Sequence, residues 1–176
     1  MATNSKELFF QELKDEYNAQ FALSDALEGK SGQLITVGGI FIPLVFGFSS
    51  LLVGKTGLDF NLALSLQILM VISLSLAVAS IFFSVRALRI QFYRHSLLPH
   101  SFYTEDGKLN QREINQFGAQ DVDDFYHEMI EEYLESNKYN LERNDKKARK
   151  IAIAESLFLI ALAIVPALIA VSFSIT

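Results

Sequence analysis

The chain has 176 residues, 51% of them hydrophobic, a formal net charge of −5 and no cysteine, which excludes disulfides, thiolate metal sites and thiol catalysis. Spread evenly, this composition would describe one globular domain, but residues 34–53, 62–85 and 156–175 carry no charge at all. Each run is about 20 residues or longer, enough for a helix rising ~1.5 Å per residue to cross a hydrocarbon core of ~30 Å.

The expected fold is therefore an all-α membrane protein with three transmembrane helices and helical extensions outside the bilayer. Its divisions are a cytoplasmic amphipathic helix over 1–32, a first span over 33–54, a second over 62–85, a cytoplasmic helical region over 86–150 and a third span over 151–175. In the first element Phe10, Leu13, Tyr17, Phe21 and Leu27 recur at helical spacing, Asn4 and Glu7 form a capping pair, and Gly29 serves as the C-terminal stop. Six acids against three bases in this stretch suit a protein partner better than anionic lipid. No basic n-region, short h-region or small-residue cleavage site precedes the first apolar run, so it is expected to stay as an anchor. The stretch "SDALEGKSG" mimics the end of a phosphate-binding loop, GxxxxGK[ST]. Ser24 stands where the first glycine should be and no strand precedes it, so a helix stop fits better.

Along the first span Thr36, Gly39, Pro43, Gly47, Ser50 and Gly54 step by three or four on one face. Ser73, Ala77, Ser80 and Ser84 do the same on the second span, and Ser156, Ala163, Ala167, Ala170 and Ser174 on the third. Such faces let helix backbones approach closely, or line a water-filled path where several subunits enclose one. A lone three-helix protomer has no room for that path, so a pore requires an oligomer; its candidate residues are Thr36, Gly39, Gly47, Ser73 and Ser80.

The second span is expected to continue through "RALRIQFYRHSLL" until Pro99 ends it. Turn formers follow, with one short helix capped by Asn110 and Glu113. Within them "FYTEDGKLNQRE" mimics half of a calcium loop, with Asp106, Gly107 and Glu113 in place. Phe102 and Thr104 occupy two ligand positions, however, leaving too few oxygens for a cation that takes about six to eight. His95, His100 and His127 lack the second ligand set of a di-metal bundle, even with Asp124 and Glu131 near His127 in sequence. No metal, cofactor or catalytic residue is expected.

From Asp121 to Pro166 the pattern is helical without a breaker. Val122, Phe125, Met129, Tyr133, Asn137, Asn140, Asn144, Ala148 and Ile151 advance by three or four, which predicts one long helix continuous into the third span. Asparagines on such a stripe fix register or oligomer state, or line a polar cavity. Charge is segregated here: residues 101–135 hold ten acids and two bases, 136–150 six bases and two acids. The basic part abuts the membrane, where each Lys or Arg gains about 1 kcal/mol from anionic headgroups. Glu155 stands just inside the third span, and a carboxylate there is costly and functional by default. It is either an interface anchor paired with Arg149 or Lys150, or a gate at a pore mouth.

Lys6, Lys14 and Lys30 precede the first span, Arg86, Arg89 and Arg94 follow the second, and Arg143, Lys146, Lys147, Arg149 and Lys150 precede the third. Only Lys55 lies between the first two. The positive-inside rule places the N-terminus and the central segment in the cytoplasm and the C-terminus outside.

The segment "DDFYHEMIEEYLESNKYNLERNDKKARKIAIAESLFLIALAIVP" resembles the C-terminal module of small bacterial anti-phage membrane effectors: the Pycsar-type transmembrane effectors, SLATT-type proteins and Hailong-type channel effectors. The likeness lies in an acidic-aromatic helix, spaced Asn and Lys, and "AxxLFLxAL" opening the last span. It implies a homo-oligomer in the bacterial inner membrane, a tetramer being the size to look for. Such a channel stays closed until infection and then depolarises the membrane to halt growth. Its regulator would be a nucleotide or oligonucleotide made by a neighbouring nucleotidyltransferase. Because residues 101–135 are too acidic for an anion, that ligand is sought among Arg86, Arg89, Arg94, Lys138, Arg143 and Lys146. The alternative is a non-conducting membrane scaffold that recruits a soluble cytoplasmic partner.

Overall fold

A computed structural model describes residues 5–53, 60–90 and 122–173, and every regular element among them is helical. Helix α1 covers Ser5–Val53 (49 residues), α2 Phe60–Leu88 (29 residues) and α3 Val122–Phe173 (52 residues). All three are long and apolar enough to cross a membrane, so the chain is an all-α, multi-pass membrane protein. Asn4, the DG turn, the Asn110–Glu113 cap, Arg94, His95, Pro99, His100 and Ser174 lie outside the described residues.

Two expected boundaries are corrected. Gly29 does not stop α1, which continues to Val53. A lone glycine costs a helix about 1 kcal/mol relative to alanine, and the buried Leu27 and Ser31 on either side hold the segment in place. Nor does α2 run on to Pro99: it ends at Leu88, where the amides of Arg89 and Ile90 close onto the carbonyls of Val85 and Ala87 at 3.2 and 3.1 Å. The long third helix is continuous, and Pro166 lies inside it as Pro43 lies inside α1. Each proline removes one backbone donor, a loss that spans tolerate where neighbouring groups or water satisfy the freed carbonyl.

The chain forms two compact units. The first comprises Met1–Ser24 and Gln91–Asp145. Its core gathers Leu13, Met129 and Tyr133, with Phe10 and Tyr17 in T-shaped contact with the Tyr133 ring at centroid distances of 5.4 and 5.3 Å. Here α1 and α3 run parallel, since Leu13 meets Asn137 and, seven residues on in both, Gln20 meets Asn144. That seven-residue step is the repeat of coiled-coil packing.

The second unit comprises Asp25–Ile90 and Lys146–Thr176. Phe41, Val45, Ala77, Phe158 and Ala161 form one cluster, Leu27, Ala87 and Ile151 a second, and Leu66, Met70 and Leu168 a third. Large apolar side chains such as Ile40, Phe46, Val71 and Leu159 point outward, as hydrocarbon solvent permits. Lipid is as apolar as these side chains, so association rests on close packing and hydrogen bonds across helices. Gly38 shows the first: an added Cβ would stand 2.9 Å from Cγ1 and Cδ1 of Ile81, whereas one at Gly39 meets nothing within 4 Å. Gly38→Val is expected to cost about 1–3 kcal/mol, recovered in part by Ile81→Ala. Gly39→Ala is expected to be neutral or slightly stabilising. Thermal unfolding in detergent micelles reads both.

Candidate functional site

Polar groups in the second unit are arranged as a seam between apolar helices. The hydroxyls of Ser80 and Ser73 donate to the carbonyls of Ala154 and Ala161 at 2.7 and 3.0 Å, and that of Ser31 donates to the Ser84 carbonyl at 3.4 Å. As α3 advances from 154 to 161, α2 retreats from 80 to 73, so these two helices are antiparallel. Ser73, Ala77, Ser80 and Ser84 are all fully buried. The small face of α2 is thus a packing face, and Ser73 and Ser80, expected as pore residues, spend their hydroxyls inside the protomer.

Thr36, Gly39 and Gly47 are placed otherwise. Together with Pro43 they are exposed, and the Thr36 hydroxyl turns back to the Gly32 carbonyl at 2.9 Å. Pro43 has no amide to offer the carbonyl of Gly39, four residues earlier. On α3 the corresponding residues Ser156, Ala163, Ala167 and Ala170 are exposed as well. Two helices of the protomer therefore turn their small faces outward while the third turns its own inward.

Two ion pairs lie where the charged and apolar parts of the second unit meet. Lys147 Nζ sits 2.8 Å from Glu28 Oε1; the lysine side chain is 0% exposed and the glutamate 35%. Lys30 Nζ lies 3.0 Å from Glu155 Oε1, and both side chains are partly open, at 57% and 39%. Glu155 is thus paired across helices, not with Arg149 or Lys150 as expected. Those residues precede it by six and five positions, whereas helical neighbours face each other at three and four. A cavity of about 220 Å³, lined by Lys30, Gln33, Leu34, Val37, Glu155 and Phe158, opens at this pair.

In the first unit Asn137 Nδ2 donates to the Leu13 carbonyl at 3.0 Å, and Asn144 Nδ2 donates to Gln20 at its carbonyl and its Oε1, at 2.9 and 2.8 Å. Asn137, Asn140 and Asn144 are buried, and the Oδ1 of Asn137 and the hydroxyl of Ser136 have no hydrogen-bond partner there. These asparagines sit at the contact between helices, where a polar group fixes register.

The cations proposed for a nucleotide fall in both units. Arg86 lies in the last turn of α2 and Arg89 just beyond it, both exposed, with the Arg86 guanidinium 5.4 Å from the Phe82 ring centroid. Arg143 is half-buried over the Tyr139 ring at 5.0 Å and donates to its hydroxyl at 2.9 Å. Lys138 and Lys146 are exposed on α3. His127 meets the exposed Glu131 one turn away, at 3.5 Å, and among the described residues no group of three or more His, Asp or Glu is placed to hold a metal ion.

No family model, curated protein or solved structure matches the chain. Lys147 was missed in sequence because it sits in a basic run that reads as a solvated collar. The signal was nevertheless there: 140, 144, 147 and 151 continue the buried spacing, with Lys147 inside and Ala148 only half-buried. The close-packed glycine is likewise Gly38, not its neighbour Gly39.

Proposed function

We propose that the protein is a homo-oligomeric membrane channel whose subunits meet across the small-residue face of α1, acting as a ligand-controlled effector of bacterial anti-phage defence. The observation that carries this reading is the exposure of Thr36, Gly39, Pro43 and Gly47 in a protomer that buries Ser73, Ser80 and Ser84 of α2. In hydrocarbon, small faces are where helix backbones approach, and a carbonyl deprived of its amide, as at Gly39, needs a polar partner or water. Arranged around a ring axis, this face offers a narrow path with polar groups along it. Glu155 is assigned to anchoring α3 on α1 through Lys30 rather than to gating, and Ser73 and Ser80 are left out of the path.

Gating would use the parts of α1 and α3 beyond their apolar stretches. A ligand with unequal affinity for two arrangements of these helices shifts the balance between them. The likeness of residues 123–166 to anti-phage effectors suggests the setting, an inner membrane and a nucleotide signal, and the distribution of Lys and Arg suggests an inward-facing N-terminus. Arg86, Arg89, Arg94, Lys138, Arg143 and Lys146 are the positions at which to test that signal.

The test is ion flux from liposomes containing the full-length protein, alongside its mass in detergent. A discrete oligomer, flux on addition of a nucleotide or oligonucleotide, and loss of flux in Gly39→Trp are expected. A protein that stays monomeric in detergent and bilayer and conducts with no such ligand refutes the channel. One observation favours a scaffold instead: Glu12, Asp15 and Glu16 on α1 and Glu128, Glu131 and Glu135 on α3 are exposed, an excess of acid in the first unit suited to a basic soluble partner. Partner capture unchanged by Gly39→Trp, with no flux from either form, would establish that role.

A further inference from the structure

The flank of the α1–α3 contact in the second unit carries two cavities in one register. At one end lies the cavity opened by the Lys30–Glu155 pair. Seven residues on in each helix stand Val37 and Leu162, and seven beyond those Leu44 and Ile169. Leu44, Leu162 and Ile169 help to line a second cavity of about 230 Å³, closed on its inner side by Phe41, Val165 and Leu168. The connecting strip is apolar and open, with Val37 48%, Leu44 60% and Leu162 45% exposed. One flank thus has a charged end and an apolar end.

We propose that this groove binds one phospholipid with a phosphoethanolamine headgroup. Lys30 would take the phosphate and Glu155 the primary ammonium, while one acyl chain runs along Val37 and Leu162 to end in the apolar cavity. Charge supports the headgroup: an ammonium and a carboxylate 3.0 Å apart, both partly open, mirror a zwitterion of opposite order. The carboxylate also selects among zwitterions, because a primary ammonium donates charge-assisted hydrogen bonds and a quaternary one has no N–H to donate. Length supports the chain. From Glu155 to Val165 and Leu168 is ten and thirteen residues, about 15–20 Å of helix at ~1.5 Å per residue. One leaflet occupies half of a hydrocarbon core of ~30 Å, so the cavity falls where acyl chains end. The site does not depend on ion conduction.

The test uses full-length protein stripped of lipid by detergent exchange, then offered equimolar phosphatidylethanolamine, phosphatidylcholine and phosphatidylglycerol of identical chains. Native mass spectrometry counts the lipid retained. One phosphatidylethanolamine per protomer is expected, held about tenfold more tightly than phosphatidylcholine. Glu155→Gln should erase that preference, the double exchange Lys30→Glu with Glu155→Lys should restore it, and Val165→Trp should lower retention of all three by filling the tail cavity. Equal retention of the three lipids by the unmodified protein overturns the proposal, as does an oligomer retaining none. A preference untouched by Glu155→Gln overturns the assigned headgroup contact.

Discussion

Glu28→Ala is expected to destabilise the protein by about 3 kcal/mol or more, while Lys147→Met is expected to be close to neutral. The asymmetry comes from where each charge sits. The Lys147 side chain is fully enclosed and its ammonium lies 2.8 Å from Glu28, so removing the carboxylate takes the countercharge from a cation that cannot reach water. Removing the lysine leaves a glutamate that is already 35% open and can be hydrated, and methionine refills the volume with apolar atoms. Unfolding of both variants in detergent micelles, with the double variant to isolate their coupling, checks this. Equal losses for the two single changes would show that the lysine is solvated in solution.

The other large effect belongs to Tyr133. The residue is 6% exposed, packs with Leu13 and Met129, and makes T-shaped ring contacts with Phe10 and Tyr17. Tyr133→Ala removes an aromatic ring and both ring contacts at once, for an expected loss of about 3–5 kcal/mol. Tyr133→Phe keeps both and should cost less than about 1.5 kcal/mol. Loss of helical circular dichroism on heating measures the two. A Tyr133→Ala protein that melts like the parent would mean that the first unit is not held by this cluster.

Much of the fold is written locally. Uncharged runs of about 20 residues announce spans, and the spacing from Phe125 to Ile151 announces the buried stripe of α3, whose Met129, Tyr133, Asn137, Asn140 and Asn144 are all inside. Helix ends are less legible, because glycine at 29 lowers propensity without forbidding a helix, and packing decides. The site was least legible. Lys30 and Glu155 are 125 positions apart, and Lys147 and Glu28 are 119 apart. Which cation meets which acid depends on how two distant helices align, and no local pattern encodes that. The faces of the spans illustrate the same gap: three similar stripes of small residues look alike in sequence, yet only that of α2 is spent inside the protomer.

The parallel alignment of α1 and α3 in the first unit couples the lengths of two segments far apart in the chain. Leu13 to Gln20 and Asn137 to Asn144 are the same seven residues, each closed at both ends by a side-chain hydrogen bond. Adding a heptad to one segment alone would leave Asn144 or Gln20 facing the wrong layer. Adding a heptad to both would keep every layer matched, so insertions here should be tolerated in pairs and rejected singly.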